Sequence, residues 1–230
     1  MNLLALDTAT RHATVAICSE TGVVAEGERE VTTHSEGLLS LIHETLEAAG
    51  QTVAEVAAVV CGRGPGSFTG CRIGLATAKG LCLAARKPLI GISSLLPLAL
   101  AMDEIQGQPH GLRAAVLDAR RGEVFCGLYR DGVLLEPEML LSPEGLVREL
   151  GQRQEHLVVG GDGALLYQDV LLANLADQVS LAPATCHAIH ARYLAIAARP
   201  RLVAAEHDDL ATMVPLYLRS SDARLPSKIS

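Results

Sequence analysis

The chain is 230 residues long, 49% apolar and only 3% aromatic, with no tryptophan and a formal net charge of −7. That is ample material for a core of Ala, Leu and Val, in one large domain or two small ones. The acidic balance argues against a large nucleic-acid footprint of its own, and no apolar run is long enough to span a membrane. The six cysteines are scattered, with no C-x-x-C pair, and several lie in apolar runs. They read as small buried hydrophobes in a reducing cytosol. No basic stretch precedes the first apolar run, so no signal peptide is expected.

Residues 2–6 predict a short strand ending at Asp7, followed by a polar turn through Thr8, Ala9, Thr10 and Arg11. Residues 13–18 predict a second strand, Thr21 and Gly22 a hairpin turn, and 23–31 a third strand. Residues 35–49 predict a helix with Leu38, Leu39, Ile42 and Leu46 on one stripe, capped by Ser35 and stopped by Gly50. The run 56–61 reads as a buried strand. It leads into Gly62, Gly64, Pro65, Gly66, Ser67, Thr69 and Gly70, a sharp glycine-rich turn opening a helix to about residue 85. Ser67 or Thr69 can cap that helix.

A helix N-terminus flanked by Arg63 and Arg72 has the chemistry to hold an anion. The spacing nevertheless matches neither the phosphate loop G-x-x-x-x-G-K-[ST] nor the dinucleotide fingerprint, and a purely structural turn explains it equally well. The helix has two apolar surfaces. Gly70, Gly74, Leu75, Ala78 and Cys82 lie on one, and Ile73, Ala76, Gly80, Leu81 and Ala84 on the other. A surface helix of a monomer needs one, so burial on both sides is expected, inside the domain or against a partner. A short strand at 88–92 and a helix from Ser93 or Ser94 to about Met102 complete this half.

Residues 104–111 read as a linker, and then the opening repeats. Residues 114–118 mirror 3–7, each ending in aspartate, at Asp118 and Asp7. Residues 119–122 mirror the polar turn, 124–129 the second strand, and 131–133 the hairpin turn. The order predicts an internal duplication: an α/β protein of two related halves, the second reduced. The halves are placed at 1–104 and 112–220, with a disordered tail at 221–230. The later part predicts helices at 143–150, capped by Ser142, at 167–175 and at 185–198, with a strand at 156–159.

Paired strand–Asp–turn–hairpin openings resemble those of the actin, hexokinase and Hsp70 (ASKHA) superfamily. The resemblance narrows at Asp7-Thr8-Ala9-Thr10, at His34-Ser35-Glu36 with Leu38 and Leu39, and at Gly64-Pro65-Gly66-Ser67-Phe68-Thr69-Gly70 with Arg72 and Gly74. Lys79-Gly80-Leu81, Ser94-Leu95, Asp118-Ala119-Arg120-Arg121 and residues 215–219 extend it. Together these are similar to the TsaB (YeaZ) family over nearly the whole chain.

The resemblance implies a non-catalytic paralogue of TsaD, needed for N6-threonylcarbamoyladenosine (t6A) at position 37 of tRNAs that read codons beginning with A. It implies pairing with TsaD through the helices at 35–49 and 70–85, with the ATPase TsaE joining. ATP, Mg and a metal would belong to those subunits, and tRNA would be met only through the complex. A homodimer is expected when the partner is absent, and the location is cytoplasmic. The expected interface is Leu38, Leu39, Ile42, Leu46, Gly70, Gly74, Leu75, Ala78 and Cys82. Asp7, Arg63, Ser67, Thr69, Arg72 and Asp118 are the residues expected nearest any nucleotide or phosphate.

The His-x-x-x-His metal pair of TsaD has no counterpart at 91–98, where Ser93, Ser94 and Leu95 cannot supply such ligands. Of the eight histidines, only His187 and His190 have a spacing that could share a helix face, and a structural role is expected for them. Ser67 is one place too late for a nucleophile elbow. The alternative function is a small ATP-dependent phosphotransferase or ATPase, with Asp7 and Asp118 at its phosphates; the bland reading is that both aspartates cap turns.

Overall fold

The computed structural model describes residues 1–30, 36–106 and 110–219. The expected tail, His34 and the expected cap Ser35 lie outside these residues.

The first half runs β1 (Leu3–Asp7), β2 (His12–Ser19), β3 (Gly22–Glu30), α1 (Glu36–Ala48), β4 (Ala58–Gly62), α2 (Phe68–Ala85), β5 (Leu89–Ile92) and α3 (Leu96–Gln106). Its sheet has the order β3-β2-β1-β4-β5, antiparallel through the hairpins and parallel from β1 to β4 and β5. The second half runs β6 (Leu112–Arg120), β7 (Glu123–Arg130), β8 (Val133–Leu134), β9 (Met139–Leu141), α4 (Pro143–Gly151), β10 (Leu157–Gly160), α5 (Asp162–Leu166), α6 (Gln168–Leu175), β11 (Val179–Leu181) and α7 (Ala191–Val203). Read from one edge, its sheet is β8-β7-β6-β10-β11, with β9 also paired antiparallel to β7. The two sheets share one topology, with Asp7 and Asp118 at equivalent places on the central strands.

Local chemistry sets several boundaries. Ser67 accepts from the Gly70 N–H at 3.2 Å and starts α2. Ser142 does the same for Gly145 at 3.1 Å, with Pro143 opening α4, as that position tolerates. Other expectations need correction. Ser93 and Ser94 lie ahead of α3, which begins at Leu96: Ser93 Oγ accepts from Leu95 N–H at 3.1 Å and donates to Glu138, and Ser94 Oγ donates to Asp7. The stretch expected to be a linker from 104 is helical through Gln106, so the boundary at 104 falls inside α3. The helix expected at 185–198 begins only at Ala191, after a short 3-10 turn at Ala184–Cys186. His187 and His190 precede α7 rather than sharing a helical face. The buried His187 ring lies between the carbonyls of Gly161 and Ala182, at 3.0 and 2.9 Å.

The packing interlocks the halves. α1 and α2 cover one face of the first sheet, setting Leu38, Ile42, Leu75 and Ala78 against Leu4, Leu6 and Val59. The other face is covered by a helix of the second half, α7, through Ala191, Leu194 and Ala198 on Leu3, Ala5 and Val60. In return α3, from the first half, sets Leu98, Ala99 and Met102 against Ala115, Leu117 and Val158 of the second sheet. α3 and α7 also touch each other. Each sheet therefore completes its core with a helix from the opposite half.

Fully burying one such Leu is worth about 1.5–3 kcal/mol. Leu194→Ala, at a fully buried position, is expected to cost ~2–5 kcal/mol. Because α7 closes the first core, urea unfolding followed by circular dichroism should stay one transition. Separate transitions for the two halves would contradict the interlock.

Candidate functional site

The glycine-rich loop lies directly on the turn after β1. A Cβ at Gly62 would stand 1.7 Å from Asp7 Oδ2, at Gly66 2.5 Å from the Ala9 carbonyl, at Gly70 2.1 Å from the Thr8 carbonyl, and at Gly74 2.2 Å from Thr8 Oγ1. Only hydrogen fits at these four places. The contact is bonded as well as close: Ser67 N–H donates to Ala9 O at 2.7 Å, and Thr8 Oγ1 donates to Gly70 O at 2.7 Å.

Asp7 sits beneath this lid, fully buried. Its Oδ1 accepts from Ala9 N–H at 2.7 Å and its Oδ2 from Ser94 Oγ at 2.6 Å. Ser94 Oγ in turn accepts from Gly64 N–H at 3.1 Å. Burial pushes the Asp7 carboxyl above its ordinary 3.8, while the bonds from Ser94 and Ala9 pull it down. Each carboxylate oxygen thus accepts one hydrogen bond from the protein.

The outer side of the loop is covered by the chain after α7. Leu216 N–H donates to Arg63 O at 2.7 Å. A Cβ on Gly64, whose φ is +92°, would stand 3.1 Å from the Leu216 carbonyl, and one on Gly91 would stand 1.8 Å from Met213 Cε. Lys79 Nζ donates to Met213 O at 2.7 Å, and Gly91 N–H to Asp208 Oδ2 at 2.8 Å.

The remaining residues expected near phosphate do not converge. Arg63 lies toward Glu138, where its charge offsets part of the burial that raises that carboxyl. Thr69 is exposed, and Ser67 serves as the helix cap. Arg72 stacks on Phe68, 3.6 Å from the ring centroid. Asp118 pairs with Arg120 at 2.9 Å, and its N–H donates to Asp162 Oδ1 at 2.9 Å. All six cysteines are buried. Burial pushes the Cys71 and Cys126 thiols up to about 12 and those of Cys18 and Cys82 up to about 11, which leaves them protonated and unreactive at neutral pH. Among the described residues no cluster of three His, Cys, Asp or Glu could hold a metal.

A family model described as TsaD, tRNA N6-adenosine threonylcarbamoyltransferase, matches residues 19–227. The Escherichia coli tRNA threonylcarbamoyladenosine biosynthesis protein TsaB is 33% identical, over 99% of this chain and 100% of its own length. The chain belongs to the TsaB (YeaZ) family. YeaZ from Pseudomonas aeruginosa has a similar structure, with a TM-score of 0.78 and 29% identity over 94% of this chain and 99% of that one. A ROK hexokinase from Thermus thermophilus matches with a TM-score of 0.52 at 14% identity, covering 87% of this chain and all of that one. That likeness shows the shared ASKHA-type fold.

The interface expected from the TsaB resemblance needs correction. Leu38, Ile42, Leu46, Leu75, Ala78 and Cys82 are buried in the chain's own core, and Gly70 and Gly74 face Thr8. Only Leu39 of that set is outward, 54% exposed. Of the other stripe, Ile73 and Leu81 also pack against that core, and the free surface of α2 is Ala76, Gly80 and Ala84 with Leu83, the last 68% exposed. Substitutions at Gly74 or Ala78 therefore test folding rather than docking. Sequence reasoning missed Ser94 as the partner of Asp7 and Tyr217 as the partner of Arg72, which are 87 and 145 residues away.

Gly70→Ala is expected to destabilise the protein by ~1–3 kcal/mol or more by overpacking. Gly80→Ala, which meets nothing within 4 Å, should stabilise it by ~0.5–1 kcal/mol. Urea unfolding of the two variants checks both signs. Asp7 gives a pH signature. Unfolded, it ionises near its ordinary value; folded, burial keeps it neutral to higher pH. Its contribution to stability is therefore greatest below about pH 4 and declines as pH rises. Asp7→Asn should gain on the wild type as pH rises above about 4, and an unchanging difference would contradict the assignment.

Proposed function

We propose that the chain is a non-catalytic scaffold and activator subunit for t6A formation at position 37 of tRNAs reading codons that begin with A. It docks through the outward face of α2, with Leu39 of α1 beside it, on a TsaD-type catalytic paralogue, and TsaE joins that pair. ATP, Mg and the metal belong to those subunits, and tRNA is engaged through the complex. Without the partner, the same face pairs two copies of the chain. The location is cytoplasmic.

The observation that carries this reading is the sealed Asp7. In an enzyme of this fold the first-strand aspartate must face the reacting phosphate or its metal. Here both of its oxygens are spent on Ala9 and Ser94, under a loop bonded to the adjoining turn. Support for docking comes from α2, whose outward stripe is apolar and small. Such a stripe lets another helix approach closely.

In a reconstituted modification assay with TsaD and TsaE, omission of the chain is expected to abolish product. Asp7→Asn should keep activity within about threefold of wild type, because the amide oxygen still accepts from Ala9 N–H and its NH2 can donate to Ser94 Oγ in a reversed bond. Leu83→Asp should lose partner binding with an unchanged circular dichroism spectrum. Titration of the isolated chain with Mg-ATP should give no saturable heat. Tight Mg-ATP binding lost in Asp7→Asn would favour a phosphotransferase or ATPase instead.

A further inference from the structure

Arg72 stands on the first turns of α2, at the edge of the proposed docking face. Its guanidinium lies 3.6 Å from the Phe68 ring centroid. Its Nε donates to Tyr217 Oη at 2.8 Å, and the two rings are 5.3 Å apart. Tyr217 is brought there from the end of the described chain and is held by the adjacent bond from Leu216 N–H to Arg63 O. Two aromatic rings, one a turn away on α2 and one 145 residues further on, thus hold one arginine side chain.

The terminal nitrogens Nη1 and Nη2 make no hydrogen bond or ion pair to any described residue. α2 carries two cations, Arg72 and Lys79, and no acidic residue. Lys79 is spent on the Met213 carbonyl. Among the described residues, the helix therefore presents one unspent fork of N–H donors within an apolar surround. Phe68 is 47% and Tyr217 43% exposed, Val214 is exposed beside Tyr217 in the chain, and Ala76 is exposed one turn along α2.

We propose that Arg72 is the anchor of the docking face and receives a carboxylate of the protein partner, bidentate through Nη1 and Nη2. The inference rests on the docking reading above and adds its anchor and the chemistry of the opposing group. A guanidinium fork matches a carboxylate in two parallel bonds. Stacking has fixed the side chain before the partner arrives, so little rotamer freedom is lost on binding. Arg and Tyr ringed by apolar contacts are the composition of interface hot spots. Phosphate would suit the fork too, but the apolar rim and the net charge of −7 favour a protein carboxylate over a nucleic-acid backbone.

The test is titration calorimetry of the full chain against the TsaD-type paralogue from the same organism. Arg72→Ala is expected to weaken binding by about thirtyfold or more, the scale of a hot spot. Arg72→Lys keeps the charge but loses the fork and the stack, and should weaken it at least tenfold. Tyr217→Phe, which keeps the ring, should cost less than fivefold. Thermal unfolding of each variant shows whether the fold is kept. Wild-type binding with Arg72→Ala or Arg72→Lys unchanged overturns this inference and leaves the docking reading standing. No wild-type binding ends both. Affinity of the isolated chain for tRNA that disappears in Arg72→Ala overturns it in favour of phosphate recognition.

Discussion

The structure turns on one close approach, the glycine-rich loop laid backbone to backbone on the turn that carries Asp7. Four glycines make it possible because a Cβ at any of them would fall within 2.5 Å of that turn. Two bonds, Ser67 N–H to Ala9 O and Thr8 Oγ1 to Gly70 O, hold the surfaces together. On the outer side Gly64 packs against the Leu216 carbonyl, which a Cβ would approach to 3.1 Å, and Gly91 of β5 packs against the end of the Met213 side chain. The loop is the middle layer of three, and its composition follows from having backbone or side chain pressed against both sides.

That layering decides what Asp7 can do. The carboxyl is fully buried and held by Ala9 and Ser94, and burial, rather than a neighbouring charge, is the largest influence on its protonation. The equivalent Asp118 at the second opening is tied to Arg120 of its own hairpin turn. In each half the aspartate near the end of the first strand accepts from the backbone N–H two residues further on. What the frame offers the outside is the side of α2 turned away from its sheet, with Arg72 poised at one end and Leu83 toward the other.

Much of this was legible in the sequence. The two aspartate-ending strands, the hairpins and the duplication are local patterns, in which apolar runs, turn residues and their order carry the information. The two apolar stripes of α2 were legible too. How they divide was not, because Ile73 and Leu81 of the second stripe also pack, half-buried, against the core that takes Leu75 and Cys82, leaving Ala76, Gly80 and Ala84 outward. The exchange of α3 and α7 between sheets was hidden for a related reason: periodicity marks an apolar face but not the sheet it covers. Ser94 and Tyr217 act across long sequence separations, and no local signal links either to its partner.

The most direct test of the sealed turn is amide hydrogen exchange at Ala9 and Ser67, followed with and without millimolar Mg-ATP. The account predicts that both amides exchange only with global unfolding, since their acceptors are Asp7 Oδ1 and the Ala9 carbonyl beneath a closed loop, and that Mg-ATP changes neither. Fast exchange by local opening, with protection restored by Mg-ATP, would mean that the loop lifts to admit a nucleotide and that Asp7 is a working site.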